Sequence, residues 1–290
     1  MNTPEVKPQV EIGPVTPPRM QTGPVTQPRI QTSPVTPPRV QASTGTQPPA
    51  PGRPPAPVER PTALVLNGSP LVTLQTTPVA LEDWAYGFLF SEGIIASAGD
   101  VESVAVAEGR VEVRARLSPA WNPEMARRRY LTSGCGKGVT FSSVRDALGL
   151  RPVATDLRVS RETLGGLLGA FQAGCRIYRE VGGVHGAAVA DVVTGEVLVR
   201  EDIGRHNAVD KAIGAALRAD WDPARLVVLT TGRISYEICS KLARFGVPVG
   251  ASRTAATDQA IRLARRLGMA LVGYLRAGHM VVYTGAERIL

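Results

Sequence analysis

Apolar and polar residues alternate from Ala63 to Leu74 on either side of Asn67-Gly68, a dipeptide that suits a two-residue hairpin turn because both positions tolerate positive φ. The period then lengthens. Leu81 to Ile95 brings Leu81, Trp84, Ala85, Phe88 and Leu89 to one face, which predicts a helix with Gly93 near its end. Val101 to Leu117 returns to alternation, as two strands broken at Glu108-Gly109. Thr163 to Glu180 reads as one helix with the stripe Leu164, Leu168, Phe171, Cys175 and Tyr178. Strands at Val184 to Val192 and Glu196 to Arg200 flank Thr194-Gly195, and Ala208 to Leu217 is helical on Val209, Ile213 and Leu217, with Asn207 as its N-cap. Strand and helix segments then alternate through Leu226 to Leu229, Tyr236 to Phe245, Val247 to Ala251, Asp258 to Leu267, Ala270 to Leu275 and Met280 to Tyr283. This order predicts an α/β fold, a sheet covered by helices, with a smaller β-rich part nearer the amino terminus.

The first 61 residues lack such a pattern. They hold 17 of the 24 prolines and none of the 14 aromatic residues in the 290-residue chain. Glu11 to Met20, Gln21 to Ile30 and Gln31 to Val40 repeat Pro-Val-Thr, a further proline and an arginine at fixed places. Ten residues with so few apolar positions cannot bury a solenoid face. The stretch is expected to be a disordered, polyproline-II-leaning extension with no required role, or a docking arm for a partner. Residues 62–290 then form the globular body, with a smaller α+β part at 62–130 and an α/β core at 131–290, and the chain's 43% hydrophobic residues are enough to build a core.

The formal charge is +8, of which the first 60 residues supply +3. A moderately basic body favours anionic partners: a nucleotide, a phosphorylated cofactor or an acidic protein patch. Nucleic acid is disfavoured, because no aromatic residues interleave with the basic ones to stack bases. No apolar run reaches the length of a membrane span and no secretory h-region follows Met1, so a cytoplasmic protein is expected. Three scattered cysteines, an odd number, suit a reducing compartment better than a disulfide framework.

Chemistry concentrates in three places. Cys175 and Cys239 lie on apolar helix faces and read as small core residues. Cys135 differs: it stands in Ser133-Gly134-Cys135-Gly136-Lys137-Gly138, after Arg127, Arg128 and Arg129, where open backbone and positive charge favour an accessible thiolate; an ordinary loop cysteine is the alternative. The second place is Arg200-Glu201-Asp202-Ile203-Gly204-Arg205-His206-Asn207-Ala208-Val209-Asp210-Lys211, at a junction from strand to helix. There Arg205 and His206 suit a phosphate, unless Arg205 pairs with Asp202 and the segment is structural. The third is Thr230-Thr231-Gly232-Arg233-Ile234-Ser235-Tyr236-Glu237, a strand-to-helix turn that is either a ligand site with Arg233 or a helix start capped by Ser235. His185 reads as structural. A phosphate-binding Walker loop fails, since Leu131 and Gly138 replace its glycine and hydroxyl residue, and neither a zinc deaminase signature nor a zinc site is present. A cysteine hydrolase using Cys135 with His185 or His206 fits by residue type alone.

Together, Gly87-Phe88-Leu89 with Ser91-Glu92-Gly93, Ser133-Gly134-Cys135-Gly136, Gly182-Gly183-Val184-His185, the string from Glu201 to Lys211, Gly232 to Glu237 and Leu271-Val272-Gly273-Tyr274 resemble the FdhD family of formate dehydrogenase accessory sulfurtransferases over roughly residues 62–290. The resemblance implies a cytidine-deaminase-like α/β fold without zinc chemistry. It implies a sulfur carrier that takes persulfide sulfur from a cysteine desulfurase and passes it to the bis-guanine-dinucleotide molybdenum cofactor required by formate dehydrogenase; a cofactor-binding chaperone without sulfur transfer is the rival. No cofactor would be permanently bound, the molybdenum cofactor being the client. The persulfide cysteine falls on Cys135, and the cofactor-binding segment on Tyr274, Leu275, Arg276, Ala277, Gly278 and His279, with Arg205, His206 and Arg233 as further anion contacts. A homodimer would suit so wide a cofactor. The family often has Cys-Gly-x-Cys at the loop, whereas Gly138 replaces the second cysteine here, so Cys135 would act alone.

Overall fold

In the computed structural model the described residues are 40–41, 56–121, 130–131, 139–140, 150–276 and 278–290. The Asn67-Gly68 signal holds: Arg60–Leu66 (β2) and Ser69–Thr76 (β3) pair antiparallel around it, with φ of 50° and 81° at the two turn residues. Val101–Ala107 (β4) and Arg110–Ala115 (β5) complete a four-stranded sheet ordered β3-β2-β5-β4. Its apolar face is covered by Leu81–Ser91 (α1), which buries Trp84, Phe88 and Leu89 against Leu64, Val111 and Val113.

The larger sheet has seven strands. Its members are Val40–Gln41 (β1), His185–Asp191 (β8), Val197–Asp202 (β9), Leu226–Thr230 (β10), Val249–Ser252 (β11), Ala270–Arg276 (β12) and His279–Thr284 (β13), in the order β1-β9-β8-β10-β11-β12-β13. β1 lies inside the stretch expected to be disordered, and β2 starts at Arg60, two residues before the expected boundary. Two short strands, Tyr130–Leu131 (β6) and Val139–Thr140 (β7), pair antiparallel, and Cys135 lies midway between them in sequence, outside the described residues.

Helices cover both faces of the larger sheet, as small and branched residues alternate along its strands. Ala187, Val189, Val228 and Leu271 face Arg205–Arg218 (α4), Tyr236–Phe245 (α5) and Asp258–Leu267 (α6). Ala188, Ala190, Val227 and Val272 face Arg161–Gly174 (α2). The single helix expected from Thr163 to Glu180 is broken at Cys175 (ψ 82°), and Arg176–Val181 (α3) begins anew. The cause is Glu201, whose buried carboxylate accepts the N–H groups of Ile177 and Tyr178 at 2.8 Å each, so these amides serve a tertiary contact instead of an unbroken helix. Tyr178, read as part of the apolar stripe, is 51% exposed.

A helix crossing and a buried ion pair are among the contacts that bind the sheets together. The helices α1 and α4 cross backbone on backbone: a Cβ placed on Gly87 would lie 1.8 Å from the Asp210 carbonyl oxygen, and one on Gly214 1.9 Å from that of Asp83. The second contact is the sealed pair Lys211–Asp202, at 2.7 Å with neither side chain exposed. Lys211 also donates to Thr77 O at 2.8 Å, while Asp202 accepts Thr77 N at 3.0 Å and Asn207 donates to Gln75 O at 2.8 Å. The end of β3 and the residue after it are thereby tied to the end of β9 and the first turns of α4. Buried charges of this sort are tolerated only when fully partnered.

Two stability predictions follow from these contacts. Gly87→Ala is expected to cost about 3 kcal/mol or more in urea unfolding, since backbone cannot yield as a side chain does, whereas Gly166→Ala on the exposed side of α2, with nothing within 4 Å, should be neutral or stabilising by about 0.5–1 kcal/mol. Lys211→Met is expected to cost about 3–5 kcal/mol by stranding Asp202, whereas Arg262→Ala, which breaks only the exposed pair with Asp258, should stay within about 0.5 kcal/mol of the parent.

Candidate functional site

One rim of the larger sheet gathers most of the residues expected to bind a ligand. Strands β10, β11 and β12 run parallel and end there. Antiparallel β8 starts there, β9 ends there with Asp202 opposite His185, and the β12–β13 turn closes it with Arg276 opposite His279. Such carboxyl-end rims are where open α/β sheets hold ligands. Arg205 and His206 open α4, Arg233 lies between β10 and α5, and Tyr274, Arg276, Gly278 and His279 flank the last turn. Ala277 lies outside the described residues. Leu275 is 1% exposed within the core, so its side chain cannot meet a ligand.

Short hydrogen bonds fix the rim. Thr231 donates N–H to Gly186 O at 2.9 Å and its hydroxyl accepts Gly186 N at 3.0 Å, while His185 Nδ1 lies 3.3 Å from the same hydroxyl. Ser252 Oγ donates to Gly232 O at 2.7 Å and shares a hydrogen bond with Thr254 Oγ1. Gly232 packs so closely that a Cβ there would come within 2.9 Å of Arg205 Cβ and 3.5 Å of His185 Nδ1. Tyr274 adopts φ 50° at an irregularity in β12 and donates its N–H to Thr254 O at 2.7 Å. A left-handed tyrosine costs on the order of 1–3 kcal/mol, sustained only where surrounding contacts impose it.

Electrostatics separates the imidazoles from the guanidinium groups. Burial lowers the pKa of His185, and Arg205 lowers it further against Asp202. His206 is pushed down to about 3 by burial, then by Lys241, Arg205 and His185. Its Nε2 is sealed from solvent without a hydrogen-bond partner among the described residues. Both rings are therefore neutral at pH 7, on a rim that also carries the guanidinium groups of Arg205, Arg233 and Arg276.

Most of the string from Glu201 to Lys211 is scaffold. Asn207 does not cap α4. Gly204 does, with no side-chain cap, because Asp202 already receives Gly204 N at 2.8 Å and Asn207 Nδ2 at 3.0 Å. Asp202 pairs with Lys211, so the expected alternative of an Arg205–Asp202 pair is not what occupies that carboxylate. Asp210 meets Lys241 at 2.7 Å, with Glu92 at 3.4 Å from the same ammonium. Burial works against the Lys241 charge, but the two carboxylates outweigh it and raise its pKa; for Asp210 burial prevails and its pKa rises. Ser235 caps α5 as expected.

Both described thiols are interior. Cys239 is fully buried, and Cys175 is 5% exposed, with its Sγ 2.8 Å from where a Cβ on Gly186 would lie. Burial raises each pKa to about 12, with Glu201 adding to the effect at Cys175. Among the described residues no cluster of His, Cys, Asp and Glu could hold a metal ion, and no helix is long and apolar enough to cross a membrane. Sequence reasoning set His185 aside, named Thr231 only as part of a turn and passed over Ser252 and Arg253; the available signal was that each stands at a strand end on the same rim.

Residues 57–290 match the model of the FdhD/NarQ family. The chain belongs to that family. A sulfur carrier protein FdhD from Listeria innocua is 36% identical over 237 residues, covering 80% of this chain and 90% of the relative. One of the same name from Xanthomonas euvesicatoria is 38% identical over 239 residues, covering 80% and 84% respectively. The crystal structure of a candidate formate dehydrogenase accessory protein from Desulfotalea psychrophila superposes with a TM-score of 0.66 at 29% identity, covering 80% of this chain and 90% of that one. Within this FdhD/NarQ chain the matched region begins just before β2, and residues 1–56 lie outside it.

The depressed pKa of His206 has a defined sign. The unfolded chain takes up its proton below the ordinary pKa of 6.5, while the folded chain resists until about 3, so stability present above pH 6.5 is lost as pH falls through that window. Comparing urea unfolding at pH 7 and pH 5, His206→Gln should reduce the loss of stability by on the order of 1 kcal/mol.

Proposed function

We propose that this FdhD/NarQ member is a sulfur carrier serving formate dehydrogenase: Cys135 accepts sulfur from a cysteine desulfurase and delivers it to the bis-guanine-dinucleotide molybdenum cofactor held at the rim. The observation that carries this reading is the fate of the other thiols. Cys175 and Cys239 are sealed, with pKa values raised to about 12, which makes both poor nucleophiles and supports Cys135 as the carrier. The names of the relatives, sulfur carrier protein FdhD, support the same role.

In the loading step the Cys135 thiolate attacks the outer sulfur of the donor's persulfide. The new S–S bond forms as the donor's own S–S bond breaks; the donor leaves as thiolate, the transferred sulfur keeps its proton, and Cys135 becomes Cys-S-SH. Exchange of this kind needs thiolate character and open access, which the glycines on both sides of Cys135 favour. The pyrophosphates of the cofactor are anionic, and Arg205, Arg233, Arg253 and Arg276 offer charge-assisted hydrogen bonds to them. The start of α4 has no side-chain cap, so its first N–H groups can serve an anion as well. Neutral His185 adds a polar contact without a charge that changes near pH 7, while the sealed Nε2 of His206 stays behind the rim.

Cys135→Ala in the full chain is expected to abolish added sulfur, read by thiol-trapping mass spectrometry after incubation with a desulfurase and cysteine, and to abolish activation of formate dehydrogenase. It should leave cofactor capture intact. Arg276→Glu should show the converse, normal sulfur loading with cofactor capture weakened about tenfold or more. Added sulfur found on Cys239 in place of Cys135 would refute the carrier role, and retained activation by Cys135→Ala would favour a cofactor-binding chaperone.

A further inference from the structure

Strand β1 closes the third ten-residue repeat and lies parallel on β9, with Val40 opposite Val197 and Gln41 opposite Leu198. On the other side of β9, Asp191 N donates to Glu196 O at 3.0 Å. In this antiparallel pair, residues 196, 198, 200 and 202 therefore turn their peptide groups towards β8, and Val197, Val199 and Glu201 turn theirs to the outer side. Beyond Leu198 that outer side is closed by neighbouring side chains: Arg200 Nη1 donates to Val199 O at 2.8 Å, and Lys211 Nζ donates to Glu201 O at 3.3 Å. What remains is a slot for a strand of two residues, over the buried Val197 and Leu198. An edge blunted in this way admits one short extended segment and no longer strand.

The chain offers that segment three times. Pro38-Arg39-Val40-Gln41-Ala42 has counterparts in Pro18-Arg19-Met20-Gln21-Thr22 and Pro28-Arg29-Ile30-Gln31-Thr32. In each, the four residues after the proline are free of proline, in a stretch where 17 of 61 residues are proline. The exception has a physical reason. A residue whose peptide groups face a parallel neighbour bonds to the residues flanking its partner, so Val197 calls for an N–H at the position after the one opposite it. Proline has none, and glutamine stands there in all three copies.

We propose that the Val197–Leu198 edge is a docking slot for the Arg-aliphatic-Gln unit of the repeat, and that the chain carries three interchangeable occupants of which one is seated at a time. Moving the seated unit back by one repeat lengthens the connecting chain by ten residues, which by loop-closure scaling lowers its effective concentration only about twofold. Exchange among the copies is thus nearly free, and a seated unit keeps foreign strands off the sheet edge.

The test uses the full chain and a labelled peptide of residues 25–34, read by fluorescence anisotropy. The variant carrying Gln21→Pro, Gln31→Pro and Gln41→Pro should bind the peptide about tenfold or more tightly than the parent chain, because its slot is open. Gln41→Pro alone should stay within about threefold of the parent, since two competent units remain. The same peptide with proline in place of Gln31 should bind neither protein. The proposal falls if the triple variant, with the parent's unfolding midpoint, takes no peptide, or if Gln41→Pro alone opens the slot as far as the triple variant does. Hydrogen exchange at Val197 and Val199 reads occupancy without a peptide. Their amides should be protected in the parent and in Gln41→Pro and released in the triple variant; equal exchange in all three would also overturn the proposal.

Discussion

The Asp202–Lys211 pair is the constraint on which the rest of the molecule depends. Neither group is exposed, so each must be neutralised and hydrogen-bonded where it stands. Meeting that requirement recruits Thr77 and Asn207 and fixes three things at once: the end of β9, the start of α4 and the strand pair that leads into α1. Because α4 begins where Asp202 ends the sheet, the same contacts set the position of Arg205 and His206 on the rim. The scaffold and the site share a foundation of very few atoms.

This arrangement explains how a long polar motif can be mostly interior. Glu201 caps α3, Asp202 holds Lys211, Asn207 reaches Gln75 and Asp210 meets Lys241. A polar string at a strand-to-helix junction invites a reading as ligand-binding surface. Here the low dielectric of the interior makes paired charges a device of positional specificity, and two of the residues, Arg205 and His206, stand at the start of α4 on the rim.

Periodicity alone was sufficient for most of the longer elements. The boundaries of Tyr236–Phe245 and Asp258–Leu267 are those read from the chain, and the Asn67-Gly68 turn, the break at Glu108-Gly109 and the α/β class follow directly from alternation. The failures have tertiary causes. The helix through Cys175 breaks because Glu201, distant in sequence, claims its amides. Asn207 looks like a cap but points to a strand of the other sheet. The rim itself was legible only in part, since Arg205, Arg233 and Tyr274 could be named from motifs while the meeting of His185, Thr231 and Gly232 needs the pairing of β8 with β10. Cys135, outside the described residues, could be named only from the glycines and arginines around it in the sequence.

The glycine crossing of α1 and α4 has a mechanical side. Where side chains separate two helices, a change of one methylene shifts their distance and tilt, and the structure drifts by small steps. At Gly87 and Gly214 there is no such spacer, so the separation is set by main-chain van der Waals radii, which no ordinary substitution can alter without collision. The two sheets therefore share a hinge with its pin welded: residues around it can vary in size and charge, but the angle at which the smaller sheet meets the rim does not drift with them.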